Sequence, residues 1–380
     1  MKKKNIFLIA GIVILIVVLL FIFISNKTVK EETIIMGVLT PLSGDCSVYG
    51  ENVVNAKTLA LEEINQTGGI LGKQLKLIFE DGKCNSLDAL SSARKLIEIN
   101  NIKIIFGGTA SSETLGAIPI TEENKVILFS SGASSPEISS LGDYVFRNYP
   151  SEDVLGVATS ELLYNDGYRK VAILVENTDY ALSILNVFKD SFEKLGGSVV
   201  IIEKYNSDSL DFKTQLTKIK NSNVDSLLFL PQTGSSGGFA VKQAHELNIK
   251  LPYYGNAQMN GSEALVNGGL AINNLKFVDA PIVDTEKGME FLNKYNERFG
   301  RPAMDYFVGA EYDAVYIIKD AIEYCKDIDT DCIKDYLYNL EEYNGVIGKY
   351  SFDENGDVKN IKFAIKQIID AENDVIEIIN

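Results

Sequence analysis

Short apolar runs alternate with longer amphipathic segments along most of this 380-residue chain, and that alternation admits few folds. Residues 33–39, 74–79, 103–106 and 126–129 read as buried strands. Between them, 48–65 carries Val53, Ala56, Leu59, Ala60 and Ile64 on one helical face and stops at Gly68-Gly69. Residues 86–98 turn Leu87, Leu90, Ala93, Leu96 and Ile97 inward, and 111–123 is a third helix. Strand, helix and strand in succession predict a parallel sheet covered by helices on both faces.

The pattern pauses over 144–153 and restarts. Helices over 151–165, 180–195, 212–220 and 237–247 interleave with strands over 171–175, 199–205 and 226–230. It pauses again near 275–281. Helices over about 286–299, 306–324 and 333–340 follow, then a β-like end: 348–352, the hairpin-like turn Asp353-Glu354-Asn355-Gly356, and 361–369. Two similar blocks emerge, and the residues beyond Ser25 are too many for one compact core.

Lys2-Lys3-Lys4 precede an apolar stretch from Ile6 to Ile24, long enough at ~1.5 Å per residue to span a hydrocarbon core of about 30 Å. The lysines favour an N-terminus held inside and the bulk of the chain outside. A cleaved signal peptide is the rival reading, but Ile22-Phe23-Ile24-Ser25-Asn26 offers no small-x-small site and no cysteine there could accept lipid. Residues 1–25 are therefore read as a retained membrane anchor and 26–32 as a polar tether. A net charge of −16 argues against nucleic acid and anionic membrane surfaces as partners. Asn26, Asn65 and Asn260 begin Asn-x-Thr/Ser triplets, relevant only in a host that glycosylates exported chains.

Cys46, Cys84, Cys325 and Cys332 are an even set in an exported chain. A local Cys325–Cys332 bridge would leave Cys46 to pair with Cys84; four free thiols are the alternative. No metal site is expected, because the single histidine, His245, is far in sequence from every cysteine. No cofactor is expected.

Two loops concentrate the chemistry. Gly107-Gly108-Thr109-Ala110-Ser111-Ser112 follows one strand, and Ser130-Ser131-Gly132-Ala133-Ser134-Ser135-Pro136 follows the next. A strand, a Gly/Ser turn and a helix start present N–H groups and hydroxyls at a sheet edge. Ser111 or Ser112 can be a plain N-cap; the functional reading gives Ser111 a carboxylate, helped by the helix dipole. Gly132 can offer an open carbonyl, and Ser134 a hydroxyl that serves either charge. Tyr49 and Tyr180 follow strands in the two blocks and can wall a cleft. His245, inside a helix beside Glu246, reads as a surface residue. With no Gly-x-Ser-x-Gly turn and one histidine, a hydrolase is disfavoured. The run Asp353 to Asp357 lacks the alternating ligands and closing glutamate of a calcium loop. Binding, not catalysis, is expected.

Several motifs in order carry a resemblance: Gly37-Val38-Leu39-Thr40-Pro41-Leu42-Ser43-Gly44 with Tyr49-Gly50, Glu62-Glu63-Ile64-Asn65 running into Gly68-Gly69-Ile70-Leu71-Gly72, and Glu80-Asp81 with Cys84. Residues 130–137, Val145-Phe146-Arg147, Tyr312-Asp313-Ala314-Val315 and Phe352-Asp353-Glu354-Asn355-Gly356-Asp357 complete it. Over nearly all of 33–369 the chain resembles the solute-binding proteins of branched-chain amino-acid ABC transporters, with the type I periplasmic-binding-protein fold.

The resemblance implies an α/β architecture of two doubly wound, Rossmann-like lobes, here preceded by an N-terminal transmembrane helix. Lobe I would comprise 33–148 with 280–348, and lobe II 149–279 with 349–380. Three hinge crossings would fall near 147–150, 276–279 and 348–352. The Ser111 hydroxyl and the Ser134 N–H would take a ligand's α-carboxylate, the Gly132 carbonyl and Ser134 hydroxyl its ammonium, with Ser112 and Ala133 in the same loops. Tyr49 and Tyr180 match wall positions, and a further aromatic wall position falls at Thr233. Where many relatives place an acid for the ammonium, this chain has Ala257. Either Asp179 or Glu311 substitutes, or the ligand is no α-amino acid. The family's usual partner for Cys84 falls at Ala110, which leaves Cys46 as its substitute.

The resulting expectation is a monomeric, membrane-tethered, extracytoplasmic protein that captures a small amino acid or related carboxylate or amide and delivers it to ABC permease subunits. A ligand-binding sensor acting on a separate signalling partner is the alternative.

Overall fold

A computed structural model of the chain describes residues 33–279, 285–302, 304–361, 363–370 and 372–379. The expected anchor and tether, 1–32, lie outside the described residues. Among the described residues no helix is long and apolar enough to cross a membrane.

The first block runs β1 (Thr33–Thr40), α1 (Ser47–Gln66), β2 (Gln74–Asp81), α2 (Ser86–Arg94), β3 (Ile104–Phe106), α3 (Ser111–Glu123), β4 (Ile127–Ser130) and β5 (Val145–Arg147). Its strands form a wholly parallel sheet in the order β2-β1-β3-β4-β5. Strand β5 occupies what reads in sequence as a pause, because three residues are too few to show a period. Helix α1 buries all five apolar residues predicted for its inner face. Helix α2 departs from prediction: Leu87 is 80% exposed and Ala89 takes the inward place. Asn85 caps that helix by accepting from the Asp88 N–H, and Ala93 within it and Leu96 and Ile97 just beyond it are buried as the pattern predicts.

The second block runs α4 (Glu152–Asn165), β6 (Lys170–Glu176), α5 (Asp179–Lys194), β7 (Ser198–Tyr205), α6 (Lys213–Lys220), β8 (Ser226–Leu230), α7 (Gly234–Glu246), β9 (Tyr253–Gly255), α8 (Ser262–Gly268) and β10 (Lys276–Asp279). Helix α7 starts three residues before the expected point, since the Thr233 hydroxyl caps it by accepting from the Ser236 N–H. Then follow α9 (Glu286–Phe299), α10 (Asp305–Cys325), α11 (Thr330–Tyr338), β11 (Tyr343–Gly345), β12 (Gly348–Phe352), β13 (Val358–Lys359), β14 (Phe363–Ile369) and β15 (Glu372–Ile379). The second sheet has the order β15-β14-β10-β9-β8-β6-β7. It is parallel from β7 to β10, and β14 and β15 add to it antiparallel.

Each sheet has its own core. Val38, Phe106 and Phe129 of the first pack with Phe307, Val315 and Ile318 of α10. Val171, Ile173 and Leu228 of the second pack with Phe188 and Phe192 of α5 on one face. Fully burying one such side chain contributes roughly 1.5–3 kcal/mol. Strand β12, expected as a crossing with 349–380 beyond it in the second lobe, stays with the first sheet instead. Tyr350 and Phe352 are buried in that core, and β13 pairs with β12. The Arg147 guanidinium fixes this arrangement: Nη2 donates to Asp357 Oδ2 at 2.8 Å and Nε to Asp357 Oδ1. Aromatic side chains set the boundary here, and the chain joins the second sheet only at β14.

Candidate functional site

The C-terminal ends of parallel strands from both sheets meet at one partly open cavity. This is the edge at which open α/β sheets place ligands. The first sheet contributes Thr109, Ala110 and Ser111 after β3, Gly132 after β4, and Tyr49 on α1. The second contributes Tyr180 on α5, Gln232 after β8 and Gln258 after β9. Tyr149, Met304, Phe307 and Cys84 complete the wall.

Four of the site residues expected from sequence therefore line one space: Tyr49, Ser111, Gly132 and Tyr180. The other five do not line it. Ser112 Oγ donates to the Cys84 carbonyl at 2.7 Å, tying α3 to the cysteine loop. Ala133 is buried in a core behind its own loop. Ser134 is fully buried with its hydroxyl turned to Glu152. Thr233 is occupied as the cap of α7, and Ala257 packs into the core of the first sheet.

Local chemistry explains the loop shapes. Helix α3 begins at Ser111 with Ala110 as the preceding residue, so Ser111 is not the cap. Glu113 does the capping work: one carboxylate oxygen accepts from the N–H groups of Thr109 and Ala110, both at 3.0 Å, and the other from Cys84 N–H at 3.1 Å. Burial pushes the Glu113 pKa up to about 7, against the pull of those three donors. Gly132 is required by close approach, since a Cβ there would lie 2.7 Å from the Thr109 carbonyl and 2.9 Å from the Phe307 ring. Ser111 Oγ accepts from Ser135 N–H at 3.1 Å, so the two loops brace each other. Arg147 Nη1 donates to the Ser135 carbonyl at 2.8 Å from behind.

Two buried links join the two halves, one across the cavity and one behind it. The Tyr49 hydroxyl donates to Gln258 Oε1 at 2.6 Å, and Gln258 Nε2 donates to the Tyr180 hydroxyl at 3.3 Å. Glu152, the first residue of α4, accepts from the Ser134 hydroxyl at 3.0 Å, and its N–H donates to the Ser134 carbonyl at 2.8 Å. Burial raises the Glu152 pKa to about 8; Ser134 lowers it and nearby Asp279 raises it.

The two acids named from sequence as substitutes at Ala257 sit elsewhere. Asp179 is exposed at the start of α5. Glu311 is buried against Lys57 Nζ at 2.6 Å in the first sheet's core. Glu152 and Gln258 are the residues that sequence reasoning missed. Gln258 adjoins Ala257, and Glu152 opens the helix after the first pause, so their positions were legible but not their partners. Both predicted disulfides are present, Cys46–Cys84 and Cys325–Cys332. Among the described residues no cluster of three or more metal-ligating side chains occurs.

The family model described as periplasmic binding protein matches residues 33–371. The chain belongs to that family. Its members are binding proteins and not enzymes, which agrees with the reading from sequence. A leucine-, isoleucine-, valine-, threonine- and alanine-binding protein of Pseudomonas aeruginosa is 24% identical over 346 residues, covering 90% of this chain and 91% of its own. The solved LivJ substrate-binding protein of Streptococcus pneumoniae, in complex with isoleucine, aligns with TM-score 0.82 and 25% identity over 92% of this periplasmic binding protein and 99% of its own chain. A solute-binding protein of Rhodopseudomonas palustris, in complex with 3,4-dihydroxybenzoic acid, aligns with TM-score 0.83 and 20% identity over 92% and 98%. With these relatives the chain is a solute-binding protein of the branched-chain amino-acid type.

Proposed function

We propose that this protein is the extracytoplasmic solute-binding component of an ABC importer, and that the cavity between its two sheets holds a small amino acid or related carboxylate. One observation carries the reading: Ser111 and Gly132 from one sheet's strand ends and Tyr180 and Gln258 from the other's line a single cleft. The Ser111 hydroxyl, at the start of a 13-residue helix, takes the solute's carboxylate together with N–H groups of the Gly132–Ser134 loop. The Gly132 carbonyl takes an ammonium; Ser134 and Glu152, which lie behind that loop and are bonded to each other in the solute-free form, turn to it when the solute enters, the Ser134 hydroxyl as acceptor and Glu152 as the negative charge that Ala257 lacks. A buried ammonium paired in this way lowers the Glu152 pKa and ionises it, because opposite charges at short range favour each other's charged forms. Tyr49 and Tyr180 close over the solute.

In this reading, 33–148 with about 285–359 form one lobe, and 149–279 with the strands from β14 onward form the other. Capture closes them by hinge motion, and the closed face is what permease subunits recognise. The protein acts as a monomer, held at the cell membrane by the apolar stretch within residues 1–25 with the lysines inside.

The test is a thermal-shift screen of the full chain in detergent against L-amino acids, their amides and small carboxylates. A solute that binds only the native state raises the melting temperature. The account expects a concentration-dependent rise with at least one member; a flat response across all three classes contradicts it.

A further inference from the structure

Behind the second sheet's side of the cavity, one layer outside its lining, two hydrogen-bond acceptors are buried without a donor. They are Glu176 Oε1 and Asn256 Oδ1, on residues that are 0% and 6% exposed. Their positions are related by the sheet. The strand order β9-β8-β6 sets Asn256, after β9, and Glu176, ending β6, on either side of Pro231-Gln232, which follows β8. Both are anchored on that short segment. Glu176 Oε2 accepts from Gln232 N–H at 2.8 Å and from the Ser236 hydroxyl at 2.8 Å. Asn256 Nδ2 donates to the Pro231 carbonyl at 2.9 Å and to the Tyr180 hydroxyl at 3.4 Å. The Pro231 carbonyl can only accept, which fixes the Asn256 amide with its oxygen as the unmatched atom. Gln232 and Tyr180, to which these residues are bonded, themselves line the cavity.

We infer that the solute carries hydrogen-bond donors at the end remote from its carboxylate, and that Glu176 and Asn256 receive them behind Gln232. The inference rests on the cavity being the solute site, as proposed above, and specifies the class of solute. Buried acceptors require partners, and an aliphatic tail has none to give. A hydroxyl, amide or amine tail supplies them. The mixed wall fits such a solute: Met304, Phe307 and Cys84 offer apolar contact, while Gln232 and Gln258 offer polar heads. A site built around polar partners rejects an analogue that lacks the matching group more strongly than an apolar pocket rejects an added hydroxyl.

Matched pairs of similar shape isolate the donor. The full chain in detergent is titrated calorimetrically with L-threonine against L-valine, L-asparagine against L-leucine, and 4-hydroxybenzoate against benzoate. The inference expects the donor-bearing member of the preferred pair to bind tighter by on the order of tenfold or more. In Glu176→Gln, the Gln232 and Ser236 donors hold the amide oxygen at the Oε2 position, which puts an NH₂ where Oε1 stood. The preference within the pair should then fall to about unity or reverse, without a lower melting temperature. Asn256→Ser, which removes the second acceptor, should narrow the same ratio and serves if the first variant fails to fold. Equal or tighter binding of valine, leucine or benzoate overturns the inference while leaving the proposed site standing. A ratio unchanged in both variants overturns the assignment to Glu176 and Asn256. Failure of all six compounds to bind, together with a flat thermal-shift screen, overturns the site itself.

Discussion

The Tyr49 hydroxyl and the Gln258 amide oxygen are 2.6 Å apart, although 209 residues of chain separate them. Tyr49 belongs to the helix after the first strand of one sheet, and Gln258 to the turn after β9 of the other. Their bond is a direct link between the two halves, and Gln258 passes it on to Tyr180. Removing it should favour the open form. A neutral hydrogen bond nets about 0.5–1.5 kcal/mol, which shifts a two-state population roughly two- to tenfold. Gln258→Ala is expected to increase the ligand-free radius of gyration in small-angle scattering; an unchanged value contradicts a latch.

Ser111→Ala and Ser134→Ala should weaken solute binding by about tenfold or more, equivalent to ~1.4 kcal/mol. The fold should suffer less. Ser111→Ala deprives the Ser135 N–H of its acceptor, a loss of about 1 kcal/mol. Calorimetry and thermal melts on the same samples separate the two effects. Wild-type affinity in both variants contradicts the assignment.

Stability should depend on pH through Glu152, with a definite sign. Its folded pKa, about 8, lies above the ordinary carboxylate value, so the folded state binds the proton more tightly. The stability this contributes is complete below about pH 4.5 and is lost as pH rises through about 8. Glu113, raised to about 7, acts in the same direction. The diffuse net charge of −16 also grows with pH, so the variant must isolate the effect. Glu152→Gln is expected to flatten the fall in melting temperature between pH 6 and 8.5 (roughly the upper part of the Glu152 titration). A parallel fall in both proteins contradicts a buried, proton-holding Glu152.

The two disulfides should differ in consequence. Cys46–Cys84 closes a separation of 38 residues and Cys325–Cys332 one of 7, so loop entropy assigns them about 4 and about 2.5 kcal/mol. Cys84 also lines the cavity, and Cys46 directly precedes the helix that carries Tyr49. Replacing Cys46 and Cys84 by serine should lower both melting temperature and affinity. Replacing Cys325 and Cys332 should lower the melting temperature alone.

The fold was legible because hydrophobic period survives in a single sequence. Val53, Ala56, Leu59, Ala60 and Ile64 mark the buried face of α1 directly, and the strands of both sheets are short apolar runs between helices. What failed was set by partners distant in the chain. Strand β5 pairs only because β4 lies beside it, and β12 remains with the first sheet because Phe352 packs on Phe129 of β4 and Phe146 of β5. The cavity was half legible. Gly/Ser turns after strands announced Ser111 and Gly132. Nothing in a one-dimensional pattern brings Glu152 to Ser134, or Gln258 to Tyr49, since each is a matter of how two sheet edges face each other.

The most direct measurement is a crystal structure of the full chain with the best-binding solute from the screen. The account predicts density for that solute between the sheets, its carboxylate within hydrogen-bond distance of Ser111 Oγ and its far end toward Gln232. Solute density on an outer surface, with the space between Ser111 and Tyr180 filled by protein alone, would contradict it.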